Sequence, residues 1–328
     1  MEKNARPLQG IMAAIGLLIL IFDSSVALEG AGTGIELCIQ TVIPSLFPFF
    51  VLSMAMTNGL VISPGKPVQI ATGLLGIPAT AASIFLPAFL GGYPVGAKCV
   101  GDFYQQNQIS KGDAERMLAF CSNAGPSFLF GMVSCFFPEK KLVWLLWLIH
   151  ISGAVLTAVS LPVTGKISST SHPVNRTENQ PVILSSARAI CLVCCWVILF
   201  RILITFLNQW FFWAFPQWLQ VFLIGILELT NGCCSLMLIA DVRARFVLCA
   251  CILAFGGICV LLQTISVTKG LSVRSYVKGK LLQTLYSFLL SCVFVSGFRL
   301  YLAPLIPILV IFLRKAQNRY GNPRALPV

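Results

Sequence analysis

Phe85-Leu-Pro-Ala-Phe-Leu-Gly-Gly-Tyr-Pro-Val-Gly-Ala-Lys98 is the stretch on which the reading of this chain turns. It is apolar enough to enter a membrane, yet Pro87, Gly91, Gly92, Pro94 and Gly96 forbid one uninterrupted helix through it. Non-helical backbone at membrane depth is tolerated only where protein buries it or where it lines a water-filled cavity. A second interruption follows at Cys121-Ser-Asn-Ala-Gly-Pro-Ser127, and a comparable pair recurs at Glu228-Leu-Thr-Asn-Gly232 and Ala254-Phe-Gly-Gly-Ile258. Two broken segments in each half of a chain point to a solute site near the bilayer midplane of a secondary transporter.

The composition agrees with a bilayer setting. Apolar residues make up 57% of the 328 and charged residues only 10%, with a mean hydropathy of +0.87. Soluble domains carry about 25% charged residues, so the chain reads as an all-α polytopic membrane protein. The net charge of +12 gathers at the ends of apolar runs, where it reports orientation rather than affinity for nucleic acid. Of the thirteen cysteines, Cys191, Cys194, Cys195, Cys233, Cys234, Cys249, Cys251, Cys259 and Cys292 lie inside apolar segments with no histidine beside them. They read as small buried hydrophobes, not as metal ligands. No P-loop spacing and no Ser/His/Asp arrangement is present, so neither an ATP-driven pump nor an enzyme is expected.

Taken in order, the pattern predicts an N-terminal helix within residues 1–31, whose Ser25-Val26-Ala27 also resembles a signal-peptide cleavage site. A first repeat covers 32–164, a flexible cytoplasmic linker 165–187, a second repeat 188–313 and a basic tail 314–328. In the first repeat we expect a span at 32–56 interrupted by Pro44 and Pro48, then a re-entrant hairpin at 69–98 and a polar connector at 102–112. A helix opened by the capping-box-like Ser110-x-x-Asp113 follows, broken at 122–126, and then a clean span at 142–163. The second repeat is expected to hold a span at 188–207 and a re-entrant hairpin at 210–239. After these come a span at 246–267 broken at Gly256-Gly257, a basic loop at 269–280, and two short passes within 281–313 around Pro304 and Pro307. The triplet Asn175-Arg176-Thr177 fits a glycosylation sequon, but such triplets arise by chance.

Charge tests the arrangement. With both termini cytoplasmic and each hairpin returning to its own side, seventeen lysines and arginines fall inside, against Lys140, Lys141, Arg243 and Arg245 outside. The same threading makes the halves opposite in orientation, an inverted-topology repeat with two re-entrant hairpins and broken transmembrane helices.

Broken helices expose what continuous ones hide. Half-helix N-termini suit a carboxylate or phosphate, and unwound carbonyls suit a coupling Na⁺ or proton carrier. Tyr93, Ser122, Asn123, Ser127, Thr230, Asn231, Gln263 and Thr264 supply neutral hydrogen-bonding groups for a substrate cavity, although transmembrane Ser, Thr and Asn often only bond a neighbouring helix. Glu228 is the candidate coupling group, because a carboxylate within an apolar run costs roughly 2.5–3.5 kcal/mol and normally faces a cavity or a partner. Its alternative is a structural pairing with Arg201 or Arg299. The expected partners are a small-molecule substrate and the lipid bilayer, with no cofactor beyond a coupling Na⁺ or H⁺. A homo-oligomer is compatible with the pattern.

Several of these motifs are familiar. Pro44-Ser-Leu-Phe-Pro-Phe-Phe50, Gly92-Tyr-Pro-Val-Gly-Ala-Lys98, Ala114-Glu-Arg-Met-Leu-Ala-Phe120, Asn123-Ala-Gly-Pro126 and Gly225-Ile-Leu-Glu-Leu-Thr-Asn-Gly232 together resemble the YlbJ/SpoVV sporulation integral membrane proteins. Where that family usually has paired asparagines, this chain has Ser122-Asn123. The resemblance, from about residue 30 to 300, implies a nucleoside-recognition Gate domain distantly similar to concentrative nucleoside transporters, with solute bound at hairpin tips. It further implies a multi-pass membrane protein of an endospore-forming bacterium, placed in the outer forespore membrane, that moves dipicolinate from mother cell toward forespore. A nucleoside or other small-metabolite transporter, and a non-transporting scaffold or sensor of sporulation, stay open beside it.

Overall fold

The computed structural model describes residues 5–59, 72–162 and 181–297, and every regular element among these is helical. Helix α1, Ala5–Phe22, turns at Asp23 into α2, Ser24–Leu37, which passes through a wider turn at Cys38–Val42 into α3, Ile43–Gly59. The widening has a local cause. Pro44 has no N–H to offer the preceding turn, and the helix absorbs this with a π-bulge in which Ile43 N–H reaches back to Cys38 O. The prolines expected to interrupt this span therefore distort it without breaking it, and Pro48 lies inside α3.

The first broken element comprises a 3₁₀ turn at Ala79–Ile84, α4 at Phe85–Leu90, a tip at 91–94, and α5 at Val95–Gln105. The chain doubles back here. Gly96 lies against Ala88, 3.2 Å from that Cα to where a Cβ would be, and also faces the Cys121 carbonyl. Helix α5 continues past Lys98, so the polar connector shrinks to 106–110. Ser110 then caps α6, Lys111–Leu118, by accepting from Asp113 N–H at 3.1 Å. The unwound segment 119–125 follows, and then a π turn at Phe128–Met132 and a 3₁₀ turn at Val133–Phe136. Helix α7, Lys140–Ser160, is straight and uninterrupted.

The second set of elements repeats this order. Helix α8, Val182–Trp210, is a 29-residue span, longer than the 188–207 expected because no Gly or Pro occurs between Pro181 and Pro216. Helix α9, Gln217–Leu227, reverses at Glu228 into α10, Leu229–Ser235. Gly232 is thereby pressed onto Gly225, where any Cβ would collide with backbone. Helix α11, Val242–Phe255, ends on left-handed Gly256 (φ 80°), and α12, Gly257–Val267, continues from it. Helix α13 runs from Arg274 to Val295. The order is thus long helix, broken, broken, long helix, stated twice.

Among the described residues, four stretches are long and apolar enough to cross a membrane: Ser24–Leu52, Lys140–Ser160, Val182–Trp210 and Val242–Val267. The spans meet through small residues, as helices in lipid require. Gly30 and Gly34 of α2 sit on the backbone of Ile202 and Ile198 in α8, and Gly153 of α7 sits on Gln283 and Ser287 of α13.

Two expectations change. The basic loop at 269–280 does not reach residue 280, because with Gly279 alone between Arg274 and Val295 nothing stops a helix. Lys280 and Arg116, both counted as cytoplasmic surface charges, are buried and carry no orientation. The seventeen inside charges become fifteen. The Arg116 guanidinium donates to the carbonyls of Leu75, Gly76, Ala158 and Pro162. The 165–180 part of the linker, its sequon, the tail, Arg299 and the passes around Pro304 and Pro307 lie outside the described residues.

Candidate functional site

Three of the four interruptions, and the helix that follows the fourth, border one cavity. Gly92 and Tyr93 come from the first, and Ala124, Gly125 and Phe128 from the second. Glu228, Leu229 and Thr230 come from the third, and Val260 and Gln263 from the helix after the fourth. Leu46, Val193 and Val197 of the flanking spans complete the wall. The breaks touch one another directly: a Cβ on Gly125 would lie 2.9 Å from Gly92, one on Gly256 3.1 Å from the Tyr93 ring, and one on Gly257 3.3 Å from Glu228 Cα. These contacts explain why the breaks are built of glycine. The cavity measures about 30 Å³, room for a water or two and well short of the several hundred Å³ of a metabolite site.

Glu228 lies at the reversal, 2% exposed. Its carboxylate caps α10, accepting from Thr230 N–H at 2.9 Å and from Asn231 N–H and Nδ2 at 2.7 Å each. The N-terminus of that half-helix therefore already holds an anion from its own chain. Asn231 accepts in turn from Arg201 Nη1 at 3.2 Å, so Arg201 reaches Glu228 only through an amide. Among the described residues no cation pairs directly with this carboxylate.

A polar network spans the opposite side. Lys280, 1% exposed, donates to Tyr93 Oη and Gln283 Oε1, both at 2.9 Å, and to the Ser122 carbonyl. Gln283 Nε2 donates to Asn123 Oδ1 at 2.9 Å and to His150 O at 3.3 Å. Asn123 Nδ2 donates to Phe120 O at 2.7 Å, and Ala124 N–H donates to His150 Nε2 at 3.0 Å. Tyr93 closes the circuit by donating to Leu253 O at 3.2 Å, one turn before the fourth break. The Tyr276 hydroxyl faces those of Thr264 and Ser122, but none of the three reaches a partner within hydrogen-bonding distance. Such orphaned buried hydroxyls are uncommon.

The eight neutral residues named from sequence divide by position. Tyr93, Thr230 and Gln263 line the cavity with Glu228. Ser122, Asn123 and Asn231 are buried just behind it as supports, and Ser127 and Thr264 are buried with hydroxyls that have no partner. Sequence reading passed over Lys280, Gln283 and His150. A signal for the first two was present. Tyr276, Lys280, Gln283, Ser287 and Ser291 recur at helical spacing and form one buried polar stripe along α13. His150 stands alone within α7 and carried no comparable signal.

No family model matches this chain, and no solved structure matches it. It is 29% identical over 150 residues to the sporulation integral membrane protein YlbJ of Bacillus subtilis. The matched stretch covers 45% of this chain and 37% of that protein. With helices long and apolar enough to cross a bilayer, the chain is a helical membrane protein similar, over less than half of its length, to a sporulation integral membrane protein.

Proposed function

We propose that the chain is a secondary transporter for a small anionic solute, with dipicolinate the best candidate, built as an inverted repeat of a Gate-type domain with two re-entrant hairpins. One observation carries the reading: three of the four breaks, and the helix that follows the fourth, line one cavity, whereas a scaffold has no need to bring unwound segments together. The doubled order of long helix, broken, broken, long helix and the fold-back at Gly96 and Gly232 support the hairpins. The anion preference rests on charge. Arg201, half-buried, reaches the Glu228 carboxylate through Asn231, and the buried Lys280 bonds Tyr93, which lines the cavity together with Glu228. A dianion entering with a proton on Glu228 balances those charges, which makes Glu228 the coupling group.

Accommodating such a solute requires the breaks to separate, because the present cavity is too small. The test is the dipicolinate content of spores from cells lacking this gene, complemented with wild type, Glu228→Gln or Asn123→Ala. The expected result is restoration by wild type alone, while both variants still reach the membrane. Normal content in the deletion strain overturns the substrate. Full activity of both variants favours a non-transporting scaffold.

A further inference from the structure

We infer that the Lys280 ammonium occupies a built-in monovalent-cation site, a tethered replacement for a bound Na⁺ at the unwound second break. An ammonium has three N–H donors and no acceptor, and here all three meet oxygens of different elements. These are the Ser122 carbonyl of the break, Tyr93 Oη of the first hairpin tip and Gln283 Oε1 of α13. The orientation of Gln283 is fixed independently, because its Nε2 faces two acceptors, Asn123 Oδ1 and His150 O, which leaves only the oxygen for the lysine. Ser122 Oγ adds a further buried oxygen without a partner. The rings of Tyr93 and Tyr276 face the ammonium at 4.9 and 5.8 Å, a favourable setting for a cation.

Among the described residues no carboxylate pairs with Lys280 within 4 Å. The charge is thus held by neutral oxygens, as a carbonyl-lined Na⁺ site would hold it, and not by an ion pair. The Ser122 carbonyl is available because the chain is unwound from 119 to 125 and the last turn of α6 has ended. A lysine four residues beyond Tyr276 and three before Gln283 delivers its amine to that point from the neighbouring helix. The oxygens exist whether or not a solute moves. That they make transport independent of Na⁺ rests on the transport reading above.

The test is thermal unfolding of the purified full chain in detergent, in sodium, methylammonium or choline chloride, for wild type, Lys280→Ala and Lys280→Met. Wild type is expected to melt at the same temperature in all three salts. Lys280→Ala leaves the oxygens around a hole. It is expected to melt several degrees lower in choline and to regain at least half of that loss in sodium or methylammonium. Lys280→Met fills the hole with an apolar stem and is expected to show no salt preference. Overturning results are a wild type stabilised by sodium over choline, a Lys280→Ala protein that is not distinguished by the salts or is recovered in none of them, or rescue of Lys280→Met. Solute uptake that proceeds equally in choline extends the result to coupling. Loss of uptake in every salt with the melting pattern intact counts against transport and leaves the cation site standing.

Discussion

At the level of single residues, the polar groups that matter here are those that close hydrogen-bond circuits where helices stop. Glu228→Gln keeps the volume but turns an amide NH₂ toward the backbone donors of Thr230 and Asn231. We expect it to lose about 1–2 kcal/mol, read as a lower melting temperature, in addition to its effect on transport. Arg116→Lys replaces a fork that serves four carbonyls with a single ammonium. At ~1.5 kcal/mol for each charged hydrogen bond forgone, two lost bonds cost about 3 kcal/mol, and denaturant titration in detergent checks this. Glu228 was legible in the sequence because a carboxylate in an apolar run stands out. Arg116 and Lys280 were misread because each sits near the end of its apolar run, where a basic side chain ordinarily reaches water. Their burial depends on carbonyls supplied from far along the chain, at Leu75 and Ala158 for the one and at Ser122 for the other.

At the level of elements, the interruptions were readable because glycine and proline announce them locally. The lengths of the uninterrupted helices were not, because α8 and α13 end where breakers happen to fall, not where hydropathy does. Gly256 illustrates what a break needs. It holds φ at 80° and leaves 3.1 Å between a would-be Cβ and the Tyr93 ring. Gly256→Ala is expected to cost about 1–2 kcal/mol for the left-handed backbone alone, and further for the displaced ring. Because Tyr93 also accepts from Lys280, the melting loss from Gly256→Ala and that from Tyr93→Phe are expected to be less than additive. Additivity would mean that the fourth break and the lysine site are separate units.

At the level of the whole molecule, a cavity of about 30 Å³ implies that binding must widen it, so the segments around it should be the least stable part of the structure. In lipid nanodiscs, amide hydrogen exchange at 119–125 and 254–258 is expected to be faster than in the middle of α7 and to slow with millimolar dipicolinate. Unchanged exchange on adding the acid would argue for another solute. The doubled order of elements was visible in the sequence, but the way the two sets interlock was not, since single glycines do not name their partners. Gly30 and Gly34 are seated on Ile202 and Ile198, residues made some 170 positions later. During synthesis, then, the opening span waits with a bare seam until translation has passed the middle of the chain, and the early portion on its own is a target for membrane proteolysis. Two separately encoded pieces, divided between residues 165 and 180, should rescue one another when produced in the same cell.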